Sequence, residues 1–515
     1  MLKAHCNLSQ NQVFFLQHST PSGLRGNRLT FWFAVGCGAD MALYGVFGGV
    51  VISPDYLRVH DLEGPEKTEL LSTVTAIYNV GCFLGAVLAT WIGGKLGRKK
   101  SVLLGIFIMT IGAVLQTSSY GVPHMMVARI VSGIGNGINS STVAVWQTET
   151  APARLKGKLV ILQNALLLVG FSISNWLNYG LAFANGPVSW RFPLAFQLIF
   201  IIMIYLVIPW LPESPRWLIT KGRDEEALKI LSDIEDTTTT DAFVLSQMQS
   251  IKYTVEYERT NGMSWGDLLR GRGSNKSGTK TILLTTSVGL SPDLARLLAA
   301  CNSVQYLLWA LLGIRQVDKW GRRNTLIFGA MGQCFCYIII TSLLRYNELP
   351  GYPNAQQVAS ASVAFFFLYY VFFGIGMQGI PWLYPTEINS LTMRTKGAAL
   401  GAATNWILDF MVVEITPIGI QNLGWRFYIV WIALNAAMVP AVYFFYPETA
   451  GRTLEDIDEY YRTDPPLLVF RDKEAISRKR PERYRIKEEE IIRKNDVDAT
   501  ADPAIKMTKK DGIQR

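Results

Sequence analysis

Residues 93–100 read Gly93-Gly94-Lys95-Leu96-Gly97-Arg98-Lys99-Lys100, a glycine-rich turn closing on three consecutive positive charges. An apolar run, Leu71–Ile92, leads into it and another, Val102–Thr117, leads out. Glycine permits a tight reversal between two helices, and Lys and Arg hold such a turn on the cytosolic side of a bilayer. The turn has a partner at Gly321-Arg322-Arg323, preceded by Asp318. Glu149 with Arg154 and Gly157 is matched by Glu387 with Arg394 and Gly397. Pro212-Glu213-Ser214-Pro215-Arg216 is matched by Pro447-Glu448-Thr449-Ala450-Gly451-Arg452. Such a duplication predicts two membrane halves around a midplane site.

Composition points the same way. Of 515 residues, 50% are hydrophobic and 17% charged, and the apolar residues come in long charge-poor blocks. About twenty apolar residues span a bilayer core as a helix, so a soluble enzyme is excluded. Cys37, Cys82, Cys301, Cys334 and Cys336 lie in apolar blocks, as packing residues rather than a disulfide framework. The net charge of +9 sits in short clusters between those blocks, which is a positive-inside pattern and not a nucleic-acid footprint. Only four His occur, none at metal-ligand spacing, and no nucleophile elbow or phosphate loop is present. Gly133-Ile134-Gly135-Asn136-Gly137 follows no strand and reads as a close-packed stretch of membrane helix.

The chain therefore reads as an all-α integral membrane protein. Residues 1–28 form a polar cytosolic tail, and 29–211 hold six spans: Leu29–Ile52, Leu71–Ile92, Val102–Thr117, Val122–Val145, Leu159–Phe183 and Phe192–Leu211. Residues 212–280 are a cytosolic linker with helical runs such as Asp224–Ile234. Residues 281–446 hold five clear spans: Leu297–Ile314, Thr325–Leu344, Val358–Trp382, Gly397–Ile418 and Phe427–Tyr446. The tail, 447–515, alternates basic and acidic residues and reads as cytosolic and partly disordered.

As a set, GGKLGRKK (93–100), the Glu149/Arg154/Gly157 cluster, PESPRWL (212–218), DKWGRR (318–323), PWLYPTE (381–387) and PETAGRTLEDID (447–458) closely resemble the sugar-porter family of the major facilitator superfamily. The likeness covers roughly Leu29 to Tyr460 and is nearest to the fungal members. It implies a major facilitator fold of two six-helix halves. It also implies a monomeric plasma-membrane transporter with both termini cytosolic, moving a monosaccharide or polyol by alternating access. No cofactor or metal is implied; a proton is the expected coupling ion.

Two readings stand for the basic turns: topology anchors, or a cytosolic gate in which Arg98, Arg322 and Arg323 pair with Glu149, Glu387, Glu213 and Glu448. Arg154, Arg216, Asp318, Arg394 and Arg452 belong to the same motif network. A sugar needs amide donors and acceptors and an aromatic platform. Trp382 matches the family's stacking tryptophan, and Asn405-Trp406 its polar and aromatic pair. Gln163-Asn164 lies where the family has a substrate-binding Gln, with Asn164 at the aligned position. Interfacial or packing roles stand beside these for Trp382, and helix–helix bonding for Asn405 and Gln163. Arg129 is costly in lipid and belongs either to the family's proton network or to a carboxylate pair at the cytosolic end. Asp409 and Glu414 are either pathway residues or groups near the outer surface, the second being preferred.

The sequence departs from the family twice. Leu43-Tyr44-Gly45 runs straight into Val46-Phe47-Gly48-Gly49, so about four residues are missing, including the Asp that proton-coupled members use. Asp40 stands about one helical turn too early and is a poor substitute. The family's seventh span, with its paired Gln, has no counterpart: only Thr281–Leu290 is apolar ahead of Leu297. An odd count would put DKWGRR outside, against the positive-inside rule. The gap reads as a gene-model or splicing error, a decayed copy, or a re-entrant segment, the first being preferred. Transport competes with two other readings, a non-transporting sugar sensor and an unstable truncated product.

Overall fold

The computed structural model describes residues 53–261, 292–347 and 355–486, apart from a few short breaks, and scattered positions from 25 to 51. After a short outer helix α1 (Pro54–Val59), the first half runs α2 (Thr68–Leu96), α3 (Arg98–Thr117), α4 (Val122–Thr150), α5 (Lys156–Leu181) and α6 (Val188–Val207). The linker folds as α7 (Pro215–Thr220), α8 (Asp224–Glu235) and α9 (Ala242–Asn261). The second half runs α10 (Pro292–Trp320), α11 (Arg322–Asn347), α12 (Ala355–Gly376), α13 (Ile380–Ile388), α14 (Arg394–Leu423) and α15 (Tyr428–Phe445). The tail adds α16 (Leu454–Arg462) and α17 (Lys473–Ile476). The expected first span is mostly outside the described residues, as are Asp40 and the stretch between Asn261 and Pro292.

Five helical stretches meet the length and hydropathy needed to cross a membrane: Thr68–Leu96, Arg98–Thr117, Val188–Trp210, Arg322–Tyr346 and Ala399–Phe445. Their outward faces carry exposed apolar side chains such as Trp91, Phe107 and Leu206, as lipid-facing helices do. α4 is too polar for that test, and its position explains why. Nearly every residue from Ser132 to Thr150 is buried by α2, α3 and neighbours, so the helix shows little surface to lipid.

Small residues set that packing. Gly81 and Gly85 of α2 face Gly133 and Gly137 of α4, backbone against backbone, and Gly105 of α3 faces Gly135. A methyl group at any of these would strike a neighbouring backbone or side-chain atom. The glycine run 133–137 is thus a packing seam. In the second half α11 packs on α12 and α15, and α10 packs on α12. The halves meet along α2–α14 and α5–α10, and α13 touches α4 and α5.

The linker helices lie under the first half. Trp217 donates its indole N–H to the Gly94 carbonyl at 3.3 Å, and Arg25 pairs with Asp233 at 3.0 Å. α10 ends at the second basic turn, so Pro292 lies a 29-residue helix away from it. Among the described residues the second half holds five long helices. A crossing between Asn261 and Pro292 would be needed to keep both basic turns on one side; that stretch lies outside the described residues.

The described part of the tail docks on the second half as far as Tyr484. Val469, Ala475 and Tyr484 are buried, and Phe470 packs its ring on Tyr443 and Phe444 of α15. Arg480 holds Asp456 with two bonds of 2.6 and 2.9 Å, and Arg478 donates to the Lys319 carbonyl. Several of the alternating charges make docking contacts, and spaced apolar residues supply the burial.

Candidate functional site

The two basic turns build the same lock twice. In the first half, Arg98 forks onto Glu149, Nε to Oε2 and Nη2 to Oε1, both at 3.0 Å. Its Nη1 donates to the Gly93 carbonyl, and Ser214 Oγ donates to Glu149 Oε2 at 2.6 Å. In the second half, Arg322 forks onto Glu387 at 3.3 and 3.2 Å, donates to the Val317 carbonyl, and Thr449 Oγ1 donates to Glu387 Oε2 at 2.6 Å. All four charged groups are buried. Arg216 adds positive charge near Glu149.

Glu213 and Glu448 hold backbone amides at the starts of α3 and α11, beside the forked pairs of Arg98 with Glu149 and of Arg322 with Glu387. The Glu213 carboxylate accepts the backbone N–H groups of Arg98, Lys99 and Ser214, and Glu448 accepts those of Arg322, Arg323, Thr449 and Ala450. A carboxylate caps the exposed amides at each helix start, where the helix dipole favours negative charge. Burial pushes the Glu213 carboxyl up, against the pull of its amide donors. Arg323 departs from the expected pairing. Its Nη2 donates to the Tyr443 carbonyl at 2.6 Å and its guanidinium lies over the Tyr443 ring, because Glu448 is already filled by amides. Arg452 reaches away to the Glu474 and Ser477 carbonyls of the tail. One further matched bond closes each lock: Trp146 Nε1 to the Pro212 carbonyl at 3.2 Å in the first and Tyr384 Oη to the Pro447 carbonyl at 2.9 Å in the second.

Each lock ties one half to the segment that follows it: Arg98 and Glu149 of the first half to Ser214 at the start of the linker, and Arg322 and Glu387 of the second to Thr449 at the start of the tail. What joins the halves at this end is α13, which carries Glu387 and packs on α4 and α5. Arg154 lies outside the described residues, as do the side chains of Asp318 and Arg394.

Gly97 and Gly321 make the geometry possible. Their φ angles are 88° and 83°, and a Cβ on either would meet the carboxylate of Glu213 or Glu448. Gly97→Ala and Gly321→Ala are each expected to cost about 2–3 kcal/mol of stability. Gly94→Ala, where a methyl meets nothing within 4 Å, should be neutral. Thermal unfolding of the three variants in detergent checks this; equal midpoints would refute it.

The seam between the halves holds the other candidates. Trp406 of α14 is buried among Cys82, Ala86, Ala402 and Ala403, and its Nε1 donates to Ser140 Oγ of α4 at 3.2 Å. Asn405 beside it is half-buried. The expected span Val358–Trp382 is interrupted at 377–379, where α12 has stopped, and Trp382 stands in the first turn of α13 beyond that break. Gln163 and Asn164 stand on α5; the side chains of these three lie outside the described ones. Arg129 sits near the start of α4, some twenty residues from Glu149. Its Nη2 donates to the Thr75 carbonyl at 2.6 Å and it stacks on Phe47 and Tyr78, so the expected cytosolic-end carboxylate pair is not what it makes. Across the seam Thr73 Oγ1 of α2 donates to Glu414 of α14 at 2.8 Å, and Asp409 stands midway along α14.

Two helical halves, repeated locks at one end and a polar seam between them define a membrane transporter of the alternating-access class. The family model described as "Sugar (and other) transporter" matches residues 43–461, and the chain belongs to that family, the sugar porters of the major facilitator superfamily. It is a transporter, not an enzyme, and the family works without a resident cofactor. The MFS-type transporter oryC of Aspergillus oryzae is 53% identical, over 91% of this chain and 92% of its own length. The sugar transporter STL1 of Saccharomyces cerevisiae is 30% identical over 88% and 84%. Among solved structures, the proton:xylose symporter XylE bound to 6-bromo-6-deoxy-D-glucose shares the fold. Its TM-score is 0.70 at 23% identity, covering 84% of this chain and 98% of that one.

Proposed function

We propose that the chain carries a hexose or related polyol across the plasma membrane by alternating access, as a monomer with both termini in the cytosol, in symport with a proton. One observation carries the substrate site. Gln163 and Asn164 are on α5, Trp382 on α13, Asn405 and Trp406 on α14, and α13 packs against both α5 and α14. Amides and indoles from three neighbouring elements suit a ring of hydroxyls with apolar faces. The two locks hold each half rigid while α13 closes and parts from α4 and α5.

Uptake of labelled D-glucose, glycerol and quinate by yeast lacking its own hexose carriers tests this. Saturable D-glucose uptake is expected, lowered about five- to tenfold by Trp382→Ala through loss of the stacking face. Transport of quinate alone would overturn the hexose reading. Unchanged D-glucose uptake in the Trp382→Ala variant would make Trp382 a packing residue.

The missing seventh span is proposed to be an error in the sequence rather than a property of the protein. Parity supports this, and so does the alignment with the Aspergillus relative: it runs over 498 positions, whereas 91% of 515 residues is about 469. Sequencing the transcript across the codons for Gly273–Val288 decides it. An additional apolar segment is expected; a transcript that matches the chain as written would sink the idea.

A further inference from the structure

The halves meet along α2–α14 and α5–α10, and hydroxyls bridge both seams. On the first, Thr73 Oγ1 of α2 donates to Glu414 Oε1 of α14 at 2.8 Å. On the second, Ser303 Oγ of α10 donates to Ser172 Oγ of α5 at 3.3 Å. Each donor also has an acceptor in its own helix. Thr73 Oγ1 lies 3.0 Å from the Glu69 carbonyl, and Ser303 Oγ lies 2.7 Å from the Ala300 carbonyl. A hydroxyl carries one proton and serves one acceptor at a time. When the halves part, either proton falls back on its own helix and no donor is stranded. The acceptor on the first seam is less well provided for: Glu414 Oε2 is buried without a hydrogen-bond partner among the described residues. In the joined state the carboxylate gains one charge-assisted bond and gives up water at its other oxygen, two effects of opposite sign and similar size. Such a contact keeps two arrangements near balance, as an element that must open and close requires.

The place of this bond on the seam gives it a direction. α2 runs from Thr68 to Leu96 and ends at the first basic turn, so Thr73, in its second turn, stands at the far end from the locks. α14 starts at Arg394, and Glu414 lies a little over two turns beyond Trp406, roughly 12 Å further along the helix. The middle of the seam is small and apolar, with Cys82 and Ala86 against Ala402, Ala403 and Trp406. There Trp406 Nε1 donates to Ser140 Oγ of α4 at 3.2 Å. The Thr73–Glu414 bond therefore stands at the mouth opposite the locks.

We propose that Thr73 and Glu414 form the latch of that mouth. It is shut while the Thr73 hydroxyl serves Glu414. It is open when the hydroxyl turns back to the Glu69 carbonyl and water takes its place on the carboxylate. The Ser303–Ser172 bond, longer and between neutral groups, is the weaker companion on α5–α10. The latch deepens the alternating-access reading above and, in making this mouth the outer one, rests on the cytosolic placement of the locks.

Distances across the mouth test it in the full chain. Spin labels on Leu70→Cys of α2 and Leu423→Cys of α14, both exposed positions, report the separation of the two helix ends in a chain whose own cysteines are replaced. A short and a long separation are expected for the chain with Thr73 and Glu414 in place. Thr73→Val keeps the shape and deletes the donor, so the long-to-short ratio should rise about tenfold. Thr73→Ala should act in the same direction and stands in if the valine variant does not fold. Thr73→Ser keeps the hydroxyl and should leave the ratio within about twofold. Thr73→Val with Glu414→Leu removes both polar partners and should bring the ratio back to within about threefold of its starting value. A ratio untouched by loss of the Thr73 hydroxyl overturns the proposal. So does a Thr73→Ser chain, or a double variant, as open as Thr73→Val. A ratio that answers to added D-glucose but not to Thr73→Val defeats the latch and leaves alternation standing. Sidedness is read separately: a membrane-impermeant thiol reagent should reach Leu423→Cys in intact cells. Labelling only after permeabilisation defeats the cytosolic placement of the locks, and with it the outer position of the latch, whereas the distances alone decide whether the latch exists.

Discussion

Arg98→Ala is expected to cost the folded protein about 3–5 kcal/mol, because it strands a buried carboxylate. Glu149 would lose its forked partner and keep the Ser214 hydroxyl and the nearby Arg216 charge, and the Gly93 carbonyl would lose its side-chain donor. Glu149→Gln should do comparable damage by leaving a buried guanidinium unbalanced. Replacing both together, Arg98→Met with Glu149→Leu, should be milder than either single change, since no charge is then left behind. The separation of the two forks gives a second, sharper expectation. The forked partners of Arg98 and Arg322, Glu149 and Glu387, lie in separate halves, so the effects of Arg98→Ala and Arg322→Ala on unfolding should add to within about 0.5 kcal/mol. Strong non-additivity would mean that the arginines work as one network across the halves after all. Loosening either half should also expose the contact of α13 with α5. A cysteine placed at Leu162 of α5 should label faster from the cytosolic side in both variants. If labelling is unchanged, the locks stabilise the fold without biasing the gate.

Much of this was legible in the sequence, and for a definite reason. Span edges are set by hydropathy, which is local: the expected Val102–Thr117 and Phe427–Tyr446 are found as Arg98–Thr117 and Tyr428–Phe445. The duplicated motifs likewise drew attention to the residues of both locks, as a pool of Arg98, Arg322 and Arg323 against Glu149, Glu387, Glu213 and Glu448 without assigned pairs. What spacing could not give is the partner of each group. Glu213 and Glu448 look like gate carboxylates beside so many arginines, yet backbone amides three-dimensionally next to them fill their oxygens first. The hydroxyls of Ser214 and Thr449 were visible in both PES and PET, and only the shared small hydroxylated residue after the Glu hinted at their bonds. Thr73 carries no signal at all: it is one hydroxyl near the start of an apolar helix, and its bond to Glu414 joins residues 341 positions apart. Arg129 was readable as a buried cation but not as one satisfied by a carbonyl and aromatic faces.

Ending the chain at Asp464 is expected to be nearly as damaging as breaking a lock. The docked stretch contributes three buried side chains, Val469, Ala475 and Tyr484, and the ring of Phe470 packed on α15. Burial of that size is worth about 3–6 kcal/mol as an upper value, since an unfolded tail already hides part of its surface. The loss reaches the lock as well. The Ala475 carbonyl accepts the Glu448 N–H at 2.8 Å, so the tail helps to hold the loop that caps α11. Arg452, whose side chain grips the Glu474 and Ser477 carbonyls, would swing free, and Asp456 would be left buried without Arg480. A chain ending after Ile486 keeps every one of these contacts and should unfold at the same temperature as the full chain. The two truncations, purified in the same detergent and unfolded side by side, make the comparison. If the shorter one is as stable as the longer, the tail merely rests on the second half. If it is destabilised, and Arg480→Ala alone reproduces part of the drop, the tail is a brace for the lock at Glu387 and Glu448.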